Sequence, residues 1–176
     1  MNKLFKIAIT GPESTGKSIL SQELAGHYHT LWVPEYARIY LMQSAGKYNY
    51  DDLLKIARGQ VRSEHAVEPL AERILFSDTE LLVIKIWSEV KFGKCHPWIE
   101  EHLRKQTYDL YLLMNIDLPW EFDPLRENPE NREFLFELYK SKLETLGVNY
   151  RIISGVGEER FQQAKSVIDQ LMLIKT

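Results

Sequence analysis

An α/β fold built on a five-stranded parallel sheet, with helices on both faces, is what this sequence predicts, and three observations predict it. Short apolar runs with β-branched members alternate with segments of helical periodicity along the chain. The first run, Leu4–Thr10, leads into Gly11-Pro12-Glu13-Ser14-Thr15-Gly16-Lys17-Ser18, a G-x-x-x-x-G-K-S stretch that opens a helix. Charged residues follow directly on later runs, at the carboxyl ends where open α/β sheets bind ligands.

Each element has a local reason. After the first strand, Ser18–Ala25 continues as a helix with Leu20, Leu24 and Tyr28 at helical spacing. Leu31-Trp32-Val33-Pro34 reads as a short second strand, which Pro34 ends or confines to an edge. Tyr36–Ala45 is helical and stops at Gly46. Tyr48–Tyr50 connects to a helix capped by Asp51 and running through Leu54, Ala57, Val61 and His65, until Pro69 kinks or ends it. Arg73–Asp78 is the third strand, followed by an amphipathic helix over Glu80–Val90 and a turn at Lys91–Lys94. Pro97 starts a helix reaching Arg104, and Tyr108–Met114 is the fourth strand. A polar, proline-containing segment follows, Asp117 to Asn131. The next helix puts Leu135, Leu138, Tyr139, Leu143 and Leu146 on one face and ends at Gly147. Tyr150–Ile153 is the fifth strand, and Glu158–Leu173 closes the chain with Phe161, Ala164, Val167, Ile168 and Leu171 inward.

Bulk properties narrow the function. The 176 residues suit one domain with a proper core, without repeats or linkers, so residues 1–176 read as a single unit. A net charge of −3 gives no electrostatic case for a nucleic-acid partner. One cysteine, Cys95, excludes an intrachain disulfide, and the histidines show no zinc spacing. No apolar run reaches the roughly 18 residues of a membrane span. Met1-Asn2-Lys3 enters the first strand directly, leaving no room for a signal peptide, so a cytoplasmic location is expected.

The loop motif carries the chemistry and points to a P-loop NTPase fold. Gly11 and Gly16 let consecutive N–H groups turn toward phosphate oxygens, aided by the positive end of the following helix. Glu13, Ser14 and Thr15 complete the loop. Lys17 is expected to reach the β- and γ-phosphates, and Ser18 to ligate Mg²⁺. Glu13 puts a carboxylate beside an anion site, for which the sequence offers no physical reason. Asp78, at the end of the third strand, is placed to hold Mg²⁺ with Ser18; the alternative is a helix cap. Glu35, after the second strand, can accept a hydrogen bond from a substrate hydroxyl, with Arg38 one helical turn on; a surface ion pair between the two is the plainer alternative. Asp123-Pro124-Leu125-Arg126, with Arg132 beyond, falls where small kinases carry a lid, approximately 117–131. Arg126 can stabilise the transferred phosphoryl group; otherwise these arginines pair with Glu127, Glu130 or Glu133. Trp32, Tyr36, Tyr40, Trp87 and Trp120 are rim aromatics on which a planar ring could stack. A GTPase reading fails: Met114-Asn115-Ile116-Asp117 lacks the lysine of N-K-x-D, and no D-x-x-G follows the third strand.

Taken in order, these motifs resemble the NadR-type ribosylnicotinamide kinase family over nearly the whole chain. The resemblance rests on the loop with its Glu13, on Glu35-Tyr36 with Arg38, on Gly59-Gln60, on Ile74–Thr79, on Gly93-Lys94 with His96-Pro97, and on Asp123, Leu125-Arg126 and Arg132. It implies ATP- and Mg²⁺-dependent phosphorylation of the ribose hydroxyl of nicotinamide riboside. In that reading Gly11–Ser18 hold ATP with Arg126 and Arg132, Ser18 and Asp78 hold the metal, and Lys17, Glu35, Asp78 and Arg126 are catalytic. Glu35, Tyr36, Arg38, Gln60, Asp78 and Trp87 address the nucleoside. Pro34 and Glu80 depart from residues seen in some relatives, tryptophan and aspartate respectively. A kinase for another nucleoside or small alcohol, and a non-catalytic ATP-binding module, are the other readings.

Overall fold

In the computed structural model, residues 4–174 are described. The reading at Met1–Lys3 lies outside them. The strands are β1 (Phe5–Thr10), β2 (Leu31–Val33), β3 (Ile74–Asp78), β4 (Leu110–Met114) and β5 (Tyr150–Ile153). Between and after them run α1 (Lys17–His27), α2 (Tyr36–Gln43), α3 (Tyr50–Val67), α4 (Leu81–Phe92), α5 (Pro97–Lys105), α6 (Arg132–Leu146) and α7 (Glu158–Ile174). The strands form one parallel sheet in the order β2-β3-β1-β4-β5. The expected fold class is therefore the observed one, with β2 at an edge beside Pro34.

Two-residue periodicity divides the core. Ile7 and Ile9 of β1, Ile74 and Phe76 of β3, and Leu110, Leu112 and Met114 of β4 pack against Leu20, Leu24 and Ala25 of α1 and Ala164 and Ile168 of α7. Ala8, Tyr111 and Leu113 point the other way, into a larger layer built from α2 through α6. Central strands buried on both faces explain why they read as unbroken apolar runs. Among the described residues, no helix is long and apolar enough to cross a membrane.

Helix ends follow local chemistry, with one correction. Asn49, not Asp51, caps α3: its side-chain oxygen accepts N–H bonds from Asp51 (2.9 Å) and Asp52 (3.2 Å), while Asp52 accepts from the Asn49 N–H at 2.9 Å. The reciprocal pair satisfies more orphan donors than Asp51 alone could. Pro69 ends α3 in a short 3₁₀ turn, Glu68–Leu70. Gly93 and Gly147 stop α4 and α6 in the left-handed conformation.

Strand register sets the site. Ile9 lies opposite Asp78, and the Thr79 N–H donates to the Ile9 carbonyl, so the end of β3 stands beside the loop after β1. Val33 lies opposite Ser77, which brings Glu35 alongside Asp78. Gly11, at φ 131°, passes so close to β4 that a Cβ would meet the Met114 carbonyl oxygen at 3.0 Å. Only glycine tolerates both that approach and that backbone.

Candidate functional site

A cleft of about 510 Å³ opens at the carboxyl ends of the strands. Its floor is the loop Gly11–Ser18; Glu35, Arg38, Trp87, Arg126, Leu135 and Tyr139 are among its walls. Half-buried Lys17 donates its Nζ hydrogens to the carbonyls of Gly11 (2.9 Å) and Pro12 (2.7 Å). Burial pulls the Lys17 pKa below the usual ammonium range, opposed by the charges of Glu35, Asp78 and Glu13. The acids respond in the opposite sense. Desolvation raises Glu35, and Lys17 acts against it; desolvation also raises Asp78, against a Ser18 hydrogen bond and the Lys17 charge. One ammonium and two carboxylates thus act on one another, Lys17 and Glu35 half-buried and Asp78 buried.

Asp78 also bears on metal binding. Among the described residues no cluster of three or more His, Cys, Asp or Glu could hold an ion by itself. A Mg²⁺ that takes most of its oxygens from phosphates and water needs less. Asp78 is 2% exposed, its Oδ1 has no hydrogen-bond partner, and its carboxylate engages the Ser18 hydroxyl. An unsatisfied buried carboxylate oxygen beside a hydroxyl fits a hard divalent cation. Asp78 does not cap the next helix; Glu80 does, accepting from the Leu82 N–H and from the Thr10 hydroxyl at 2.9 Å.

Glu13, in the cleft lining, reaches across to the segment after β4. Its carboxylate accepts the N–H groups of Glu127 (3.1 Å) and Asn128 (3.0 Å), in the segment that crosses the cleft. The carboxylate that had no partner in the sequence thus holds the main chain of this segment, while its charge also acts on Lys17. Ser14, held at φ 56°, adds to the tether by accepting from the Glu121 N–H at 2.9 Å and from Arg126 at 3.3 Å. Arg126 also donates to the Glu121 carbonyl at 2.6 Å and lines the cleft. Arg38 pairs with Asp123 of the lid rather than with Glu35. Neither lid arginine pairs with Glu127, Glu130 or Glu133.

Several expected residues lie elsewhere. Arg132 is outside the cleft lining; it donates to the carbonyls of Leu118 (2.9 Å) and Ser14 (3.1 Å), holding the lid's two ends together. Gln60 is 1% exposed and spends its amide on main-chain groups, so it lies beneath the cleft, not in its wall. Tyr36 packs its ring on Gly59 of α3, where an added Cβ would come within 2.0 Å of it. Trp32 and Tyr40 are taken up by core packing, and the Tyr40 hydroxyl donates to Asp52 at 2.7 Å. Trp120 is also outside the lining. Trp87 alone of the five expected aromatics faces the cleft; its Nε1 donates to the Tyr48 hydroxyl at 3.0 Å, which donates to Glu127 at 2.6 Å.

The principal residue missed was Arg160. It is 4% exposed and donates to the carbonyls of Thr15, Asn115 and Gly155 while pairing with Asp117. It therefore anchors the phosphate loop from below to the ends of β4 and β5. A signal existed: Arg160 stands four residues before Ala164 on the inward stripe of α7, where an arginine needs buried partners.

The comparisons agree with this architecture. The profile of the AAA domain matches residues 6–160. The trifunctional NAD biosynthesis/regulator protein NadR of Escherichia coli (strain K12) is 27% identical over 174 residues, covering 94% of this chain and 42% of that protein. Its Salmonella typhimurium counterpart is 31% identical over 124 residues, covering 68% and 30%. The chain thus spans less than half the length of these relatives. Among solved structures, NadR in complex with NR superposes with a TM-score of 0.81 at 21% identity, over 95% of this chain and 50% of that one. Thymidylate kinase from Ehrlichia chaffeensis gives 0.69 at 13%, over 96% and 98%. At such identities the structural likeness carries the fold. The loop-first parallel sheet and a profile match over most of its length lead to one assignment: the chain belongs to the AAA domain family.

Proposed function

We propose that this chain transfers the γ-phosphoryl group of ATP to the ribose hydroxyl of nicotinamide riboside, as one kinase unit with residues 117–131 as its lid. The observation that carries this is the meeting of two carboxylates, Glu35 and Asp78, with the phosphate-loop lysine, set by the register of β2 and β3 and by the charges they exert on one another. A pure nucleotide-binding module needs the loop and one acid; the second acid, on the cleft wall, suits an acceptor alcohol. Relatives named for NAD biosynthesis, and NadR structures in complex with NR and with NAD and AMP-PNP, support the choice of substrates.

Main-chain N–H groups of Gly11–Ser18 and the Lys17 ammonium hold the triphosphate. Glu35 accepts the hydrogen bond of the ribose hydroxyl and finally its proton, while the new O–P bond forms and the bond to the β–γ bridging oxygen breaks, releasing ADP. Arg126 faces the charge that spreads over the transferred group. Ser18 and Asp78 would hold a Mg²⁺ ion, whose chemistry there would be to offset negative charge on the phosphate oxygens. Trp87, with Val83, Ile86 and Leu135, offers an apolar wall for the pyridinium ring.

The test is direct. The protein is incubated with ATP, Mg²⁺ and each of a panel of nucleosides, and products are weighed by mass spectrometry. Nicotinamide mononucleotide is the expected product. If the riboside stays inert while another nucleoside gains a phosphate, the substrate is wrong and the reaction class stands; if ATP binds and no acceptor is ever phosphorylated, the module reading replaces this one.

A further inference from the structure

Gln60 is a buried polar side chain that the mechanism does not use. It sits in α3, away from both acid-bearing strand ends in sequence, yet touches both. Its Oε1 accepts the N–H of Tyr36 at 2.8 Å, and its Nε2 donates to the carbonyl of Thr79 at 3.3 Å. Tyr36 follows Glu35, and Thr79 follows Asp78. Both contacts are main-chain contacts, so they act on where the acids' backbones stand rather than on side-chain rotamers.

Three features show that this bridge is needed. Thr79 has φ 69°, a left-handed conformation that a β-branched residue keeps only where neighbours hold it. The N–H of Tyr36 belongs to the first turn of α2, whose preceding residue, Glu35, makes no side-chain cap bond; Gln60 supplies the missing acceptor. Gly59 lets the Tyr36 ring lie flush on α3, which brings that N–H within reach of Gln60. A glutamine, with one acceptor and one donor on a planar amide, can join an N–H to a carbonyl; an acid or an amine could not serve both.

We infer that Gln60 is a positioning residue that clasps the ends of β2 and β3 and fixes the spacing between Glu35 and Asp78. The inference rests on the proposed kinase reaction. It assigns to Gln60 no contact with substrate, which corrects its expected place in the nucleoside site. The alignment of acceptor hydroxyl and phosphate then depends on an amide below the cleft.

The experiment compares wild type with Gln60→Met, which keeps volume and loses the amide, and with Ile56→Val, a core change in the same helix that leaves the clasp intact. Titration of nucleotide-binding sites, steady-state kinetics and a crystal structure of Gln60→Met are the readouts. Displacement of reacting groups by about 1 Å can cost roughly 100-fold in rate. The expected result is a fall of at least about 30-fold in kcat per nucleotide-binding site, ATP affinity within about twofold of wild type, and an altered Glu35–Asp78 separation. Ile56→Val is expected to lower Tm with kcat per site unchanged. A per-site kcat within twofold of wild type, or an unchanged carboxylate separation, overturns the inference. If Gln60→Met does not fold, Gln60→Glu, which keeps the acceptor and loses the amide donor, takes the same measurements. If wild type phosphorylates no nucleoside, the kinase reading falls by itself, and the carboxylate separation alone decides the clasp.

Discussion

The two halves of the cleft are held by different means. One side is the loop Gly11–Ser18, eight consecutive residues braced from below by Arg160 and tied, through Glu13 and Ser14, to the segment above. The acceptor side has no such continuity. Glu35 and Asp78 come from separate strands, brought together by the register of β2, β3 and β1 and joined by Gln60. A binding site made from one stretch survives small shifts of the scaffold. A site made from three segments moves whenever any of them moves.

That contrast can be broken at several points. The largest effect is expected from Asp78→Asn, which removes the anionic ligand shared with Ser18: several kcal/mol of charge stabilisation, or about 1,000-fold in kcat. Stopped turnover with ATP binding largely retained, measured by calorimetry, would keep the halves distinct. Glu35→Ala comes next. Loss of a positioned base costs about 100-fold in kcat or more, and nucleotide affinity is expected to change less than twofold. An equal loss of ATP affinity would place Glu35 on the phosphate side and dissolve the distinction.

Gly59→Ala sharpens it on the stability side. A methyl at this position collides with the Tyr36 ring, and overpacking of this kind costs about 1–3 kcal/mol, more than the helix-propensity gain of about 1 kcal/mol for Gly→Ala. Urea unfolding reads the net loss, and an unchanged midpoint would show that α2 can slide without penalty.

The smallest effect is a pH dependence. Desolvation pushes Glu80 up to about 7, against its hydrogen bonds to Leu82 and Thr10. An acid raised on folding binds its proton more tightly in the native state, so its contribution to stability is fully present below the unfolded value, near 4.5, and is lost as pH rises to about 7. Glu80→Gln is therefore expected to raise Tm at pH 8 relative to wild type and to leave it nearly unchanged at pH 4.5. A gain of equal size at both pH values would show that folding does not raise the Glu80 pKa.

Much of this was legible because its causes are local. The order of strands and helices follows from apolar periodicity, and the phosphate loop from glycines that must lie adjacent in the chain. Arg126 could be placed because it stands in the polar segment after the fourth strand. Tyr36, Gln60 and Arg132 stand out in the sequence, but in the fold their side chains meet main chain or a neighbouring helix. Each is polar or aromatic in a telling position, but whether it faces ligand or main chain depends on the packing of α2, α3 and the lid. Arg160 carried a signal, an arginine on an apolar stripe, whose partners are 5 to 145 residues away.

By itself, the sequence determined the parallel α/β architecture, the anion-binding turn and the acids that end β3 and follow β2, since each depends on neighbours within a few positions. The tertiary structure alone decided that Glu13 holds the main chain of Glu127 and Asn128, that Gln60 joins the two acid-bearing strand ends, and that Arg160 underpins the loop. Those roles are hydrogen bonds between distant segments, and a linear chain does not specify which donor meets which acceptor until register and packing have closed the distance.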